Sequence, residues 1–191
     1  MPILSVQTGQ ARKVLINGRV VLTAIRKSAV AGHVAVAPLG LVGDEQADLS
    51  VHGGLEKAVY AYPSEHYAYW REQRAWAGVA AIDEALPFGS MGENLSLSGL
   101  LEADVWVGDL LEFADCTLRV EQPREPCYKF NAAMGFNTAV KAMAMTGFCG
   151  FYLSVQRSGS LQAGEDWQLQ PGPRRMGIPE RFNSRMFKHM R

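Results

Sequence analysis

The stretch CTLRVEQPREPCYKF, residues 116–130, joins a regular strand pattern to an abrupt and rigid ending. Leu118 and Val120 alternate with charged residues, and a period of two is typical of a strand that buries one face. Two prolines follow, and each of them fixes a backbone φ angle and removes an amide donor. The stretch therefore predicts a β-strand that ends in a stiff loop.

A second β signal lies near the start of the chain, in VLINGRVV at residues 14–21. Apolar runs flank Asn17-Gly18, a dipeptide that supplies the two positive-φ positions of a type I′ hairpin turn. Further strand-like segments follow, separated by Gly-rich connections: TAIRKSAV, HVAVAPL, KAVYAY and ADVWVGDLLEF. Short strands connected in this way predict a mostly β fold with a barrel-like core.

Two segments between the strands have helical patterns. PSEHYAYWREQRAW begins with Pro63 in the first turn and contains no further Gly or Pro before Gly78. TAVKAMAM follows Asn137, a good N-cap residue, and precedes Gly147, a natural C′ stop. We therefore expect an α+β chain in which two or three peripheral helices surround a mostly β core.

The composition restricts the classes of partner. The chain has 191 residues with 19 basic and 19 acidic side chains, so no global field would draw it to nucleic acid or to an anionic membrane. A charged ligand must therefore be held by a local cluster. The N-terminal MPILSVQTGQARK lacks a basic region followed by an apolar one, and no apolar run is long enough to cross a bilayer. We expect a cytoplasmic protein.

The end of the chain differs in composition from the rest. The Pro- and Gly-rich QPGPRRMG predicts a boundary that separates one domain at residues 1–173 from a short basic tail at residues 174–191. The tail contains five Arg and one Lys against the single acid Glu180. A solvated or helical end is the favoured interpretation of this tail, and an anion-binding arm is the alternative.

Among the three cysteines, Cys127 has the most informative surroundings. It lies in the proline-rich loop between Arg124 and Lys129, whose positive charges would favour the thiolate, the form that attacks electrophiles and binds soft metals. The alternative is a buried cysteine that acts only as a small hydrophobe. That structural interpretation is preferred for Cys116 and Cys149.

Two other segments offer ligand-binding groups. His52-Gly53-Gly54 presents backbone amides without side-chain obstruction, and Lys57 follows, so this segment could grip a phosphate; a tight turn is the alternative. In GENL, Glu93 and Asn94 follow a glycine that permits close backbone approach, and Asn94 offers both a donor and an acceptor. The alternative is a loop that caps its own turns.

Several of these segments together resemble the MOSC (molybdenum cofactor sulfurase C-terminal) domain family, in particular its stand-alone YiiM-like bacterial branch. The resemblance rests on the order and spacing of the segment at residues 40–70 and of GENL, VGDLLE, QPREPCYKF and TGFCGFY. Longer members of this branch carry a C-terminal helical extension, whereas this sequence ends in RRMGIPERFNSRMFKHMR.

The resemblance implies a bent β-barrel of the MOSC type that binds a molybdenum-pterin cofactor, with Cys127 as the catalytic thiolate and metal ligand. It also implies that the cofactor is surrounded by basic, polar and glycine residues: His52, Gly53, Gly54, Lys57, Asn94 and Arg124. Pyridoxal phosphate binding is a further association of this family.

The implied activity is the reduction of small N-hydroxylated compounds, such as hydroxylamine-type base analogues. No flavin, haem or iron–sulfur motif is visible, so the electrons would come from an external donor protein. Asp44, Asp48 and His52 are proton-carrier candidates that the sequence does not rank.

A carrier of the cofactor, or of sulfur as a Cys127 persulfide, is the alternative function, and a purely structural domain is a third. Exposed strand edges would favour a homodimer.

Overall fold

A computed structural model describes residues 1–47 and 53–188 of the chain. In this part the chain forms thirteen β-strands and four α-helices. The strands are β1 (Ile3–Thr8), β2 (Arg12–Ile16), β3 (Arg19–Thr23), β4 (Ser28–Ala29), β5 (Val34–Ala37), β6 (Gly40–Leu41), β7 (Val59–Pro63), β8 (Leu95–Leu97), β9 (Leu110–Glu112), β10 (Thr117–Pro123), β11 (Phe151–Arg157), β12 (Gly159–Leu161) and β13 (Gln168–Gln170). The helices are α1 (Tyr67–Trp76), α2 (Tyr128–Met134), α3 (Ala139–Thr146) and α4 (Ile178–Met186).

The strands pair into one large sheet and two small ones. Eight strands form a mixed sheet in the order β13-β9-β10-β11-β7-β8-β1-β4. Its strand β10 pairs antiparallel with both β9 and β11, whereas β7 and β8 pair in parallel. Strands β12, β5 and β6 form a second sheet, and β2 and β3 form a separate hairpin. The prediction of a mostly β fold with a few peripheral helices is confirmed.

The strand pattern of residues 116–130 is also confirmed. Leu118 and Val120 on β10 are completely buried, whereas the intervening Arg119 remains partly exposed. Complete burial of an aliphatic side chain of this size contributes about 1.5–3 kcal/mol. Because one face of β10 carries these side chains into the core, the register of the strand is fixed, and so is the position at which the following loop begins.

The hairpin near the start of the chain agrees with its sequence signal. Strands β2 and β3 pair antiparallel, and their turn places Asn17 at φ 50° and Gly18 at φ 76°. These positive angles are those of the predicted type I′ turn.

Helices α1 and α3 were predicted, but two details differ. A 3₁₀ turn at Ser64–His66 precedes α1, so the α-helix itself begins at Tyr67. Helix α3 ends at Gly147 with a φ of 73°, as predicted. The prediction of Asn137 as its N-cap is wrong: Thr138 holds that position, and the amide of Val140 donates instead to Oδ1 of Asn131 at 2.8 Å. A side chain of the preceding helix thus replaces a local cap.

Two strand-like segments form much shorter strands than their apolar runs predicted. In ADVWVGDLLEF, strand β9 covers only Leu110–Glu112. The preceding residues turn, because the carboxylate of Asp109 accepts the amide of Trp106 at 3.0 Å and Gly108 has a φ of 94°. In TAIRKSAV, Thr23 ends β3, and β4 covers only Ser28–Ala29.

The basic end of the chain is helical in its described part. Ile178 and Phe182 of α4 are completely buried and join the same core as the sheet. Helix α4 contacts β10 in particular. The division into residues 1–173 and 174–191 stays a prediction.

Within the described residues, no helix combines the length and the apolar character needed to cross a membrane.

Candidate functional site

The stiff loop after β10 fixes the position of Cys127. Strand β10 ends at Pro123, and α2 begins at Tyr128, so that Cys127 lies directly before the first turn of that helix. Its carbonyl accepts the amide of Phe130 at 2.8 Å, and the side chain is partly exposed. The thiol is therefore accessible while its backbone is held between a central strand and a helix.

Arg124 in the same loop is buried but incompletely bonded. Its side chain is 6% exposed, and the guanidinium carbon lies 4.8 Å from the ring centroid of Phe130 and 5.2 Å from that of Tyr60. Burial works against the charge, but the electrostatic influence of Tyr60, Tyr152 and Cys127 outweighs it and raises the pKa of the guanidinium. Arg124 therefore stays cationic. In the described part of the chain its Nη1 has no hydrogen-bond partner.

A cavity of about 100 Å³, called here the first cavity, brings several of the predicted site residues together. Its lining includes Lys57, Asn94, Arg124 and Cys127, which come from three separate segments of the sequence. Lys129, whose Nζ donates to the carbonyl of Leu22 at 3.1 Å, also lines it. Its described lining has four cationic residues against two acidic ones, Asp44 and Glu45, so its net charge is positive, and it contains a single thiol.

The Gly53-Gly54 segment was predicted to offer backbone amides to a ligand, but it is not part of the lining of the first cavity. The amide of Gly54 donates to Oε1 of Gln46 at 2.8 Å, so this amide is already bonded within the protein. Gly54 and Gly53 are not lining residues of the cavity, whereas Gln46 is. The Nζ atom of Lys57 lies 5.8 Å from the ring centroid of Tyr152. His52 and Asp48, two further residues singled out from the sequence, lie outside the described residues.

Asn94 lines the cavity, but its side chain is committed to internal bonds. Its Oδ1 accepts the amide of Tyr60 at 3.0 Å, and its Nδ2 donates to the carbonyl of Gln7 at 3.2 Å and to Oδ2 of Asp44 at 2.8 Å. Both donors and the acceptor are thereby used. In this geometry Asn94 positions Asp44 and joins β7 to β1.

An ion pair between Lys27 and Asp44 is the main feature of the cavity that the sequence did not reveal. Both residues line the cavity, and their side chains are 7% and 6% exposed. Burial lowers the pKa of the Lys27 ammonium, and the charge of Asp44 opposes this shift. The amide of Gly9 also donates to Oδ1 of Asp44 at 2.8 Å. Lys27 lies in a strand-like segment without a local motif, so its burial depends on a partner seventeen positions away.

Two other buried polar residues are engaged in bonds within the fold. The carboxylate of Glu93 is completely buried and accepts the amides of Gly89 and Met91 at 2.7 and 3.1 Å. His66 is buried, with Nε2 at 2.7 Å from the carboxylate of Glu102 and its ring stacked on Phe148. This geometry agrees with the structural role expected of a histidine in an aromatic environment.

The remaining two cysteines are unsuited to reaction. Cys116 and Cys149 are completely buried. Burial raises the pKa of the Cys116 thiol to about 12 and that of Cys149 well above its ordinary value. The thiolate is the nucleophilic and metal-binding form, so both side chains act as small hydrophobes.

Over residues 1–47 and 53–188, no cluster of three or more His, Cys, Asp or Glu has the arrangement of a metal site. A metal at Cys127 would thus take at most two His, Cys, Asp or Glu ligands from this part of the chain.

Comparison with known proteins identifies the family. The model of the MOSC domain matches residues 48–168, which is more than half of the chain. The chain belongs to the MOSC domain family. The matched region includes Lys57, Asn94, Arg124 and Cys127, and so contains most of the predicted site.

Relatives within and beyond bacteria extend this result. Protein YiiM of Escherichia coli is 40% identical over 147 residues, which cover 77% of this chain and 63% of that protein. A protein of Gibberella moniliformis named reductase is 31% identical over 172 residues, 90% of this chain but only 29% of that protein. The crystal structure of YiiM from Geobacillus stearothermophilus superposes with a TM-score of 0.78 at 30% identity, covering all of this chain and 86% of that one. The YiiM-like assignment and the fold class are thereby confirmed.

Proposed function

We propose that this protein is a molybdenum cofactor-dependent oxidoreductase that reduces small N-hydroxylated compounds to the corresponding amines. The observation that carries the proposal is the combination, in the first cavity, of one accessible thiol with the buried guanidinium of Arg124, whose Nη1 has no hydrogen-bond partner among the described residues. Membership of the MOSC family and similarity to a fungal protein named reductase support the same class of activity.

The residues of the first cavity fit the cofactor by their chemistry. A thiolate such as that of Cys127 is a preferred ligand of soft metal centres. An unsatisfied buried donor costs about 1–3 kcal/mol, and a phosphate or pterin oxygen at Nη1 of Arg124 would remove that cost. Lys57 and Lys129 line the same cavity and add positive charge that suits an anionic group.

The stiff loop fixes the positions of Cys127 and Arg124. Pro123 and Pro126 restrict the backbone on both sides of Arg124, so the loop loses little further entropy when a group binds. The thiol and the guanidinium are thus held at fixed positions relative to each other. When bound, the molybdenum cofactor supplies two-electron redox chemistry, which no side chain of the cavity can provide.

The proposed reaction consumes two protons and two electrons for each N-hydroxyl group and yields one amine and one water molecule. A separate electron-donor protein supplies the electrons. The Lys27–Asp44 pair lines the cavity and is nearly closed to bulk solvent, so Nζ of Lys27 is the group best placed to hold a proton for the reaction. Its lowered pKa makes that proton easier to transfer than the proton of an exposed lysine.

The proposal is tested by turnover of the loaded protein under anaerobic conditions, with a reduced viologen dye as the electron donor. We expect an N-hydroxylated cytosine to yield cytosine with two electrons consumed per product. Cys127→Ser should lower the rate at least about 100-fold, because a hydroxyl is a poor substitute for a soft thiolate. Product formation is followed by chromatography.

The result that contradicts the proposal is a protein that contains molybdenum and pterin but forms no amine with any donor. Such a protein would be a carrier of the cofactor. A second check uses salt: Arg124→Ala should lower cofactor retention more at high than at low ionic strength, because the remaining charged contacts are screened. Retention that is independent of salt would argue against charge pairing by the cavity.

A further inference from the structure

A second cavity lies beside the first, between the β2–β3 hairpin and helix α2. Its volume is about 370 Å³, which falls within the range of small-molecule sites. Most of its lining side chains are apolar: Val14, Leu15, Ile16, Ile25, Ala132 and Ala133. The hairpin therefore leaves room for an organic ligand rather than packing tightly on α2.

The charged residues of this second cavity all have the same sign. Arg12, Arg26 and Lys129 line it, and no carboxylate is among its described lining residues. In the described part of the chain, no carboxylate lies within ion-pair distance of Arg12 or Arg26. Because the formal net charge of the whole chain is zero, the attraction for an anion at this point is local.

The two cavities are contiguous. Thr23, Ile25 and Lys129 line both of them, and Lys129 bridges from α2 to the hairpin through its bond to the carbonyl of Leu22. A ligand of sufficient length can therefore occupy the second cavity and extend past Lys129 toward Cys127. The combination of apolar walls and guanidinium groups selects a flat or apolar body that carries a phosphate or carboxylate.

We propose that the second cavity is a substrate subsite for an organic anion of nucleotide size. The apolar body of the substrate lies between the hairpin and α2, its anionic group binds Arg12 and Arg26, and its N-hydroxyl group reaches the first cavity. This inference rests on the proposed function and narrows it: the substrates are anionic N-hydroxylated compounds, and neutral ones bind less tightly.

The test is a calorimetric titration of the full chain at low ionic strength with N-hydroxycytidine monophosphate and with N-hydroxycytidine. We expect the monophosphate to bind roughly tenfold more tightly. The double variant Arg12→Gln/Arg26→Gln should lose this preference. Lys13→Gln is the control, because it removes one positive charge at the neighbouring position of β2, which is not a lining residue. Lys13→Gln should retain the preference within about twofold.

Equal affinities of the wild-type protein for the two compounds, or no measurable binding of either, would overturn the inference. So would an equal loss of preference in Lys13→Gln and in the double variant, because the effect would then come from the general charge of the hairpin. The titration needs neither molybdenum nor turnover, so failure of the proposed function alone would leave its result intact.

A nucleotide-like anion in the second cavity could also be part of the cofactor itself. To distinguish the two sources, the titration is repeated with molybdenum-loaded protein, and nucleotide released by acid hydrolysis is counted per molybdenum. We expect no nucleotide and an unchanged preference for the monophosphate. One nucleotide per molybdenum together with loss of monophosphate binding would overturn the substrate assignment.

Discussion

The loops at residues 89–94 and 123–127 both bury a charged side chain next to the first cavity. They differ in how completely that side chain is hydrogen-bonded within the protein. The completely buried carboxylate of Glu93 accepts bonds from the amides of Gly89 and Met91 and from the hydroxyls of Tyr67 and Ser96. The guanidinium of Arg124 is almost as inaccessible, yet its Nη1 has no partner among the described residues.

This difference separates a structural charge from one that is available to a ligand. Buried polar groups in folded proteins are normally bonded, and each exception needs an explanation. Glu93 closes a turn, and its bonds are complete within the protein. Arg124 is held between two aromatic rings with an unused donor, so its burial costs free energy that a bound anion would recover. The comparison predicts that removing the charge of Glu93 destabilises the fold strongly. Removing the charge of Arg124 should change stability little and weaken cofactor binding.

The largest effect on stability is expected for Glu93→Ala. This change leaves several buried donors without an acceptor, and it also leaves a void at a completely buried position. We expect the free energy of unfolding to fall by about 3–5 kcal/mol. Urea denaturation followed by circular dichroism measures it. A loss below about 1 kcal/mol would show that the bonds of Glu93 are not needed by the fold.

A smaller loss is expected for Lys27→Met, which removes one partner of a buried ion pair. Asp44 then keeps its bonds from Gly9 and Asn94 but loses its counter-charge. We expect the free energy of unfolding to fall by about 2–4 kcal/mol. The double variant Lys27→Met/Asp44→Asn should recover part of this loss, because no buried charge is left unpaired. No recovery in the double variant would contradict the pairing argument.

The pH dependence of stability gives a second test of the Glu93 environment. Burial raises the pKa of this carboxyl, so the folded state keeps the proton to higher pH than the unfolded state does. The corresponding stability is complete below the unfolded pKa of about 4.3 and is lost as the pH rises through the folded value. The free energy of unfolding should therefore fall across that window, by at most about 1.4 kcal/mol per pH unit.

Glu93→Gln removes this titration and should flatten the slope in the same pH window. Glu112→Gln, an exposed carboxylate of β9, is the control and should leave the slope unchanged. A slope that is identical in wild-type protein and Glu93→Gln would assign the titration to another group.

The smallest effect on stability is expected for Arg124→Met. The thioether side chain keeps the apolar contacts with the rings of Tyr60 and Phe130 and removes the unpartnered donor. We expect the free energy of unfolding to change by less than about 1 kcal/mol. Cofactor retention should nevertheless fall clearly, and a large destabilisation of the empty protein would assign Arg124 to the fold.

The features that the sequence predicted are those with local causes. The turn at Asn17-Gly18 follows from backbone preferences of two residues, and the alternation in β10 follows from the burial of one face. The motif around Cys127 was visible because prolines and cations stand close to it in the sequence. Such signals need no knowledge of distant contacts.

The features that the sequence did not predict depend on distant contacts. Helix α2 is only seven residues long and follows a proline-rich loop, and it is fixed by the burial of Phe130 and Met134. Lys27 was not singled out because its partner Asp44 is brought to it by the fold. The family resemblance implied that Asn94 binds the cofactor, whereas its bonds to Tyr60, Gln7 and Asp44 appear only in three dimensions.

The most direct test of the central claim is the molybdenum and pterin content per chain after anaerobic purification from a cytosol that makes the cofactor. It is measured for wild-type protein, for Cys127→Ala and for the buried controls Cys116→Ala and Cys149→Ala. We predict close to one molybdenum per chain in the wild type and in both controls, and strong depletion in Cys127→Ala. Wild-type protein without molybdenum, or Cys127→Ala with full content, would contradict the assignment of Cys127 as the metal ligand.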